Sequence, residues 1–166
     1  MGIEALVDAL VRRAEGAAYP PPRAAGFSPA LPDDDAAINP SLASELKRDR
    51  TIEVLKANHD ALNILVFLAR CDGEYHASED DVIAQFLHDR AFDVDFNADM
   101  AIRYARQINP DPECFCESVA ALAAERPEEL VTVAQFAKLL IEADGVIADE
   151  EEEFAVALAD ALNEAL

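Results

Sequence analysis

Cationic residues are scarce in this sequence: 13 Lys and Arg stand against 34 Asp and Glu, a net charge of -21. Nucleic-acid binding relies on clustered Lys and Arg that displace counterions from phosphates, so an excess of acid this large argues against nucleic acid as a partner. Long apolar runs are missing too. The longest stretch, Ile64 to Ala69, is far too short to span a bilayer, and Met1-Gly2-Ile3-Glu4 lacks the basic and apolar regions of an export signal. A cytoplasmic location with no membrane span follows as the expectation. Cysteine is limited to three residues, an odd number that suits thiols in a reducing compartment better than a disulfide framework. Cys114-Phe115-Cys116 offers two sulfurs, and His59, His76 and His88 do not complete the four-ligand set of a structural zinc. Catalytic signatures are absent as well: there is no Gly-rich phosphate loop, no G-x-S-x-G, no H-E-x-x-H and no Cys-His pair at a recognisable spacing. No strand pattern competes with the helical one.

What is present is helical periodicity in a chain of 166 residues, enough for one sizeable core. Ile3, Leu6, Val7, Leu10 and Val11 predict a short helix over 3–15. Residues 16–40 then hold six of the nine prolines, together with Asp33-Asp34-Asp35, a composition suited to a linker or a surface strap. Residues 1–40 are thus read as an N-terminal helix and Pro-rich arm, and 41–166 as one helical domain. Within it, helices are expected at about 42–71, broken near Arg48 to Thr51, then 77–91, 97–108, 112–125, 128–143 and 149–165. Asn97 is the expected N-cap of one helix, and Pro127 fits the first turn of another. Leu130, Val133, Phe136, Ala137, Leu140 and Ile141 make 128–141 the expected central helix. The fold class is all-α, a compact bundle of about seven helices.

One device occurs twice. Asp72-Gly73 and Asp144-Gly145 lie 72 positions apart. Each ends an apolar run, each is followed two residues after the glycine by a large apolar side chain (Tyr75, Ile147), and each has a glutamate seven after the aspartate (Glu79, Glu151). This internal repeat predicts two helix-loop-helix corners related by a pseudo-two-fold. Each part has a structural role available: glycine past a helix end tolerates the left-handed conformation, aspartate accepts turn amides, and glutamate in a first turn complements the helix dipole. The pattern also carries half of a calcium loop, with Asp, Gly, an apolar residue and Glu in register with positions 5, 6, 8 and 12. Positions 1 and 3 fall on Leu68 and Arg70 in one copy and Leu140 and Glu142 in the other, so the loop is incomplete. What remains are carboxylate groups, Asp72, Glu74 and Glu79 at one corner and Asp144, Asp149 and Glu151 at the other, as candidate ligands of a divalent cation (Ca2+, Mg2+, Mn2+ or Zn2+).

Leu68 to Glu79 and Leu140 to Glu151 resemble the paired A-D-G corners of TerB-like domains, the tellurite-resistance family. The likeness extends over roughly residues 45–166, with Cys71 standing where alanine is usual. The resemblance implies a bundle of about seven helices with internal pseudo-symmetry, a place in bacterial stress response, divalent metal at the acidic corners and no enzymatic chemistry. Two functions follow as expectations: a metal-binding stress-response module, or an acidic adaptor for a basic protein surface whose Asp-Gly corners only cap their helices. After Lys138 there is no Lys or Arg while nine acids follow, a surface suited to either cations or a basic partner.

Overall fold

The computed structural model describes residues 40–71, 73, 75–92, 94–144 and 149–165, and of residues 144 and 149–152 the backbone alone. Seven helices lie among the described residues: α1 (Pro40–Ala57), α2 (His59–Leu68), α3 (Ala77–Ala91), α4 (Ala98–Gln107), α5 (Pro112–Glu125), α6 (Pro127–Asp144) and α7 (Asp149–Ala165). No strand occurs among them, and the all-α expectation holds. The expected helix over 3–15 and the Pro-rich arm lie outside the described residues, as do residues 145–148 of the second corner.

Local chemistry sets most of the boundaries. Asn97 caps α4, its side-chain oxygen accepting from the Met100 amide at 3.0 Å, and Asp111 caps α5 in the same way from Cys114 at 2.8 Å. Pro112 and Pro127 open their helices, where a missing N–H costs nothing. The first long helix breaks at Asn58, not between Arg48 and Thr51. Arg48, Asp49 and Arg50 are solvated on an uninterrupted α1, whereas the buried Asn58 donates its side-chain amide to the Val54 carbonyl at 2.8 Å. A short polar side chain that competes for helical carbonyls in this way favours an end or a bend. Arg126 then donates to the Ala57 carbonyl at 3.1 Å, satisfying an acceptor that the break exposes.

The core forms around α2 and α6. Every residue of α2 from Ala61 to Leu68 is buried, and the helix packs against α1, α4, α5 and α6. α6, the expected central helix, packs against α2, α3, α5 and α7, but Leu139 leaves one side of it exposed, so α2 is the more deeply enclosed of the two. Phe67, Phe115 and Phe154 join α2, α5 and α7 with ring centroids 4.5 to 5.2 Å apart, and Phe86 meets Phe136 edge-on at 5.3 Å across α3 and α6. These geometries are those that aromatic quadrupoles favour.

Polar ties complete the frame. Thr51 is fully buried; its hydroxyl donates to the Lys47 carbonyl at 2.7 Å and accepts from the Asn97 amide at 2.8 Å, joining α1 to the start of α4. Where α2, α3 and α6 meet, the buried Glu129 takes Arg126 at 2.8 Å and Arg90 at 3.3 Å on one carboxylate oxygen. Arg126 reaches on to Asp60 at 3.3 Å.

Candidate functional site

The first Asp-Gly corner joins α2 to α3. After Leu68 the chain closes three successive tight turns, with Arg70 donating to Phe67, Cys71 to Leu68 and Gly73 to Arg70 at 2.9 to 3.1 Å. Gly73 adopts φ +90°, a conformation that glycine enters without the steric penalty of a Cβ. The expected left-handed glycine is therefore present, although it sits at the end of these turns and not directly behind the last helical residue. His76, extended at φ -92° and ψ 156°, is the N-cap of α3.

Glu79 is 4 % exposed, and its carboxylate accepts the backbone N–H of His76. This is the carboxylate arm of a capping box, which satisfies one of the amides left open at a helix start and sets a negative charge against the positive end of the dipole. Asp80, the next acid, is held by Arg106 from the last turn of α4, with Nε to Oδ1 at 3.1 Å and a second contact from Nη2 to Oδ2. Arg70 donates to the Arg106 carbonyl at 2.6 Å and lies over the Tyr75 ring, 5.4 Å from its centroid, a cation–π distance. The result is a ladder, Tyr75 to Arg70 to Arg106 to Asp80, that pins the corner and the start of α3 to the end of α4. Burial, first, and the negative charge of Asp80, second, push the Tyr75 hydroxyl above its ordinary value, with Arg106 opposing. Asp80 lies close to the buried hydroxyl without a hydrogen bond of ordinary geometry forming between them, and Arg70 Nε is likewise buried without a partner.

Of the six sequence-predicted ligands, Glu79 alone has a described side chain. Asp72 and Glu74 lie outside the described residues. Asp144 closes α6 and Asp149 and Glu151 fall in the first turn of α7, with their side chains outside the description. Among the described residues no group of three His, Cys, Asp or Glu side chains gathers in a way that could hold a metal ion. The described part of the first corner fits a cation poorly for a positive reason: two guanidinium groups, Arg70 and Arg106, already stand in it, and Asp80, a neighbour that a metal would have needed, is engaged by one of them. Sequence reasoning placed Arg70 in the corner only as a residue that cannot ligate a metal, and missed Arg106, which reaches the corner from α4 with no local signal linking it there.

All three cysteines are described, and none forms a disulfide. Burial, then the neighbouring Asp111, raises the Cys114 thiol, while a hydrogen bond with Ser118 opposes them. No helix among the described residues is long and apolar enough to cross a membrane.

With helix order, core and corner in place, comparison with known families is decisive: the family model described as Tellurite resistance protein TerB matches residues 58–163. The chain belongs to the TerB family. The match begins at the Asn58 break and ends in α7, so it takes in both Asp-Gly corners and the whole of the core pair α2 and α6. In this TerB domain α1 is the element that precedes the matched region. No curated protein and no solved structure matches the chain.

Proposed function

We propose that this TerB domain is a non-catalytic interaction module of the tellurite-resistance type, in which the first Asp-Gly corner is a structural brace and the acidic surface engages a basic protein partner in the cytoplasm. The observation that carries the reading is the direction of the Glu79 carboxylate, into the backbone of its own helix. An acid placed for a cation would keep its oxygens for the ligand; this one completes a cap. Elsewhere, Glu153, Asp160 and Glu164 are exposed acids on α7, in a part of the chain that has no Lys or Arg after Lys138. Complementary charge of that kind steers a basic partner and gives binding that weakens with salt.

A second reading is favoured by the duplication of the pattern in the sequence: a divalent cation held through Asp72, Glu74, Asp144, Asp149 and Glu151. One experiment separates the two. A ligand at a hundred times its dissociation constant stabilises a fold by about 2.7 kcal/mol, a readily measured rise in melting temperature. Under the brace reading, calcium, magnesium, manganese and zinc shift the melt no further than a salt control of equal ionic strength. A shift beyond that control, lost in Asp72→Asn or Asp144→Asn, would overturn it in favour of the metal.

A further inference from the structure

Among the described residues a cavity of about 740 Å³ forms a groove between α4 and the end of α1, where it meets α2. One wall is formed by Ile52, Leu55, Lys56 and His59; the other by Met100, Arg103, Tyr104 and Gln107. Met100, Arg103, Tyr104 and Gln107 lie on one face of α4, whereas in the other wall Ile52, Leu55 and Lys56 share a face of α1 and His59, the first residue of α2, extends it past the Asn58 break. Leu55 is buried, and Ile52, Met100 and Tyr104 are partly so, whereas Lys56, His59, Arg103 and Gln107 are exposed. The groove therefore has an apolar floor and a polar, nitrogen-rich rim.

Its charge runs against the rest of the molecule. Acids make up 34 of the 166 residues, yet none lines this groove. Three smaller cavities among the described residues each carry at least one carboxylate: Glu164 in one, Asp81 and Asp95 in another, and Asp80, Asp81 and Asp99 in a third, which Arg103 also borders. Lys56 and Arg103 are also among the few cations of the described residues that neither an ion pair nor a hydrogen bond engages; Lys47, Arg90, Arg106, Arg126 and Lys138 each hold a carboxylate. Two unspent cations on one rim, in a chain with so few, over an apolar floor of ligand-site volume, define the chemistry of what would fill it.

We infer that the α1–α4 groove is a binding site for a small amphipathic anion, an acidic head on an apolar body, with Lys56 and Arg103 receiving the carboxylate or phosphate and Ile52, Leu55 and Met100 receiving the hydrocarbon or ring. His59 and Gln107 add rim donors near the head, and the Tyr104 ring offers an amphipathic wall. The site is independent of the acidic surface and of the Asp-Gly corners, so its fate does not decide theirs.

The test uses the full chain and 1-anilinonaphthalene-8-sulfonate, itself an aromatic body bearing one anionic head. A saturable, one-to-one rise in its emission is expected, on a protein that retains native circular dichroism and a cooperative melt. Decanoate or decyl phosphate displaces the dye, and which of the two does so at lower concentration tells carboxylate from phosphate preference; decanol, with no charged head, displaces it far more weakly. The double variant Lys56→Gln, Arg103→Gln loses two charge-assisted contacts and binds the dye at least roughly tenfold more weakly. Gln107→Glu, an exposed change that places a carboxylate on the rim, weakens it several-fold and serves if the double variant does not fold. Dye emission that does not saturate, that is unchanged in these variants, or that decanol abolishes as readily as decanoate would overturn the site.

Discussion

Two regions of this TerB domain treat scarce positive charge in opposite ways. Along α3, α6 and the first Asp-Gly corner, each guanidinium is consumed: Arg106 by Asp80, Arg126 and Arg90 by Glu129, Arg70 by a carbonyl and an aromatic face. Along the α1–α4 groove, Lys56 and Arg103 line a surface that no acid shares, although Arg103 also borders Asp80, Asp81 and Asp99 on its other side. In a protein with nearly three acids for every base, a groove whose lining includes no Asp or Glu is a local exception. The difference teaches that net charge describes the surface poorly: the acidic excess is the solvent-facing remainder after internal ion pairs are made, and one groove is exempt from it.

That contrast is sharpened most strongly at Glu129. Its carboxylate is almost wholly enclosed and faces two arginines, so Glu129→Gln leaves both without their shared counter-charge and should cost about 3 kcal/mol, read from urea denaturation. A loss well under about 1 kcal/mol would mean that these arginines are as unspent as Lys56 and Arg103 of the groove, and the contrast would break. A smaller effect is expected at the corner. Glu79→Ala removes the cap and should cost about 1–2 kcal/mol, whereas Glu79→Gln keeps an acceptor oxygen for the His76 amide and should recover most of that. Equal loss in both variants would show that the charge of Glu79, and not its capping geometry, is what the corner needs.

The smallest effect lies in Tyr75. Because no hydrogen bond of ordinary geometry engages its buried hydroxyl, the nearby Asp80 acting on it chiefly through charge, Tyr75→Phe should change stability by no more than about 0.5 kcal/mol at neutral pH. The pH dependence is the sharper readout. The folded state holds the phenolic proton more tightly than the unfolded chain does, where the ordinary value is near 10. The stability this contributes is fully present below that value and is lost as pH rises through it towards the folded one. The wild-type denaturation midpoint should therefore fall more steeply above about pH 10 than that of Tyr75→Phe; parallel curves would show that the ring is not held out of water.

The helices were legible in the sequence because their signals are local. Asn97, Asp111, Pro112 and Pro127 act within a turn of themselves, and the Asp-Gly motif announced both the left-handed Gly73 and the first-turn Glu79. The break in the first long helix was misplaced because the run Arg48-Asp49-Arg50 looks like an interruption, while the actual one at Asn58 draws on Arg126, which arrives from the far side of the bundle. The corner was half legible for the same reason: its acids and Arg70 were visible, but Arg106 and the contacts it makes were not, since it pairs with Asp80 across 26 positions and receives Arg70 across 36. The walls of the groove each carry a readable periodic face, but periodicity does not say which faces meet. That information belongs to the packing of α1 on α4, which a single buried hydroxyl, Thr51, helps to fix.

That hydroxyl has a mechanical corollary. Thr51 and Asn97 stand at the same end of the two groove walls, one residue before Ile52 and three before Met100, and the bond between them ties α1 to α4 at that point. Any widening of the cleft that leaves this tie intact is smallest at Ile52 and larger towards Gln107.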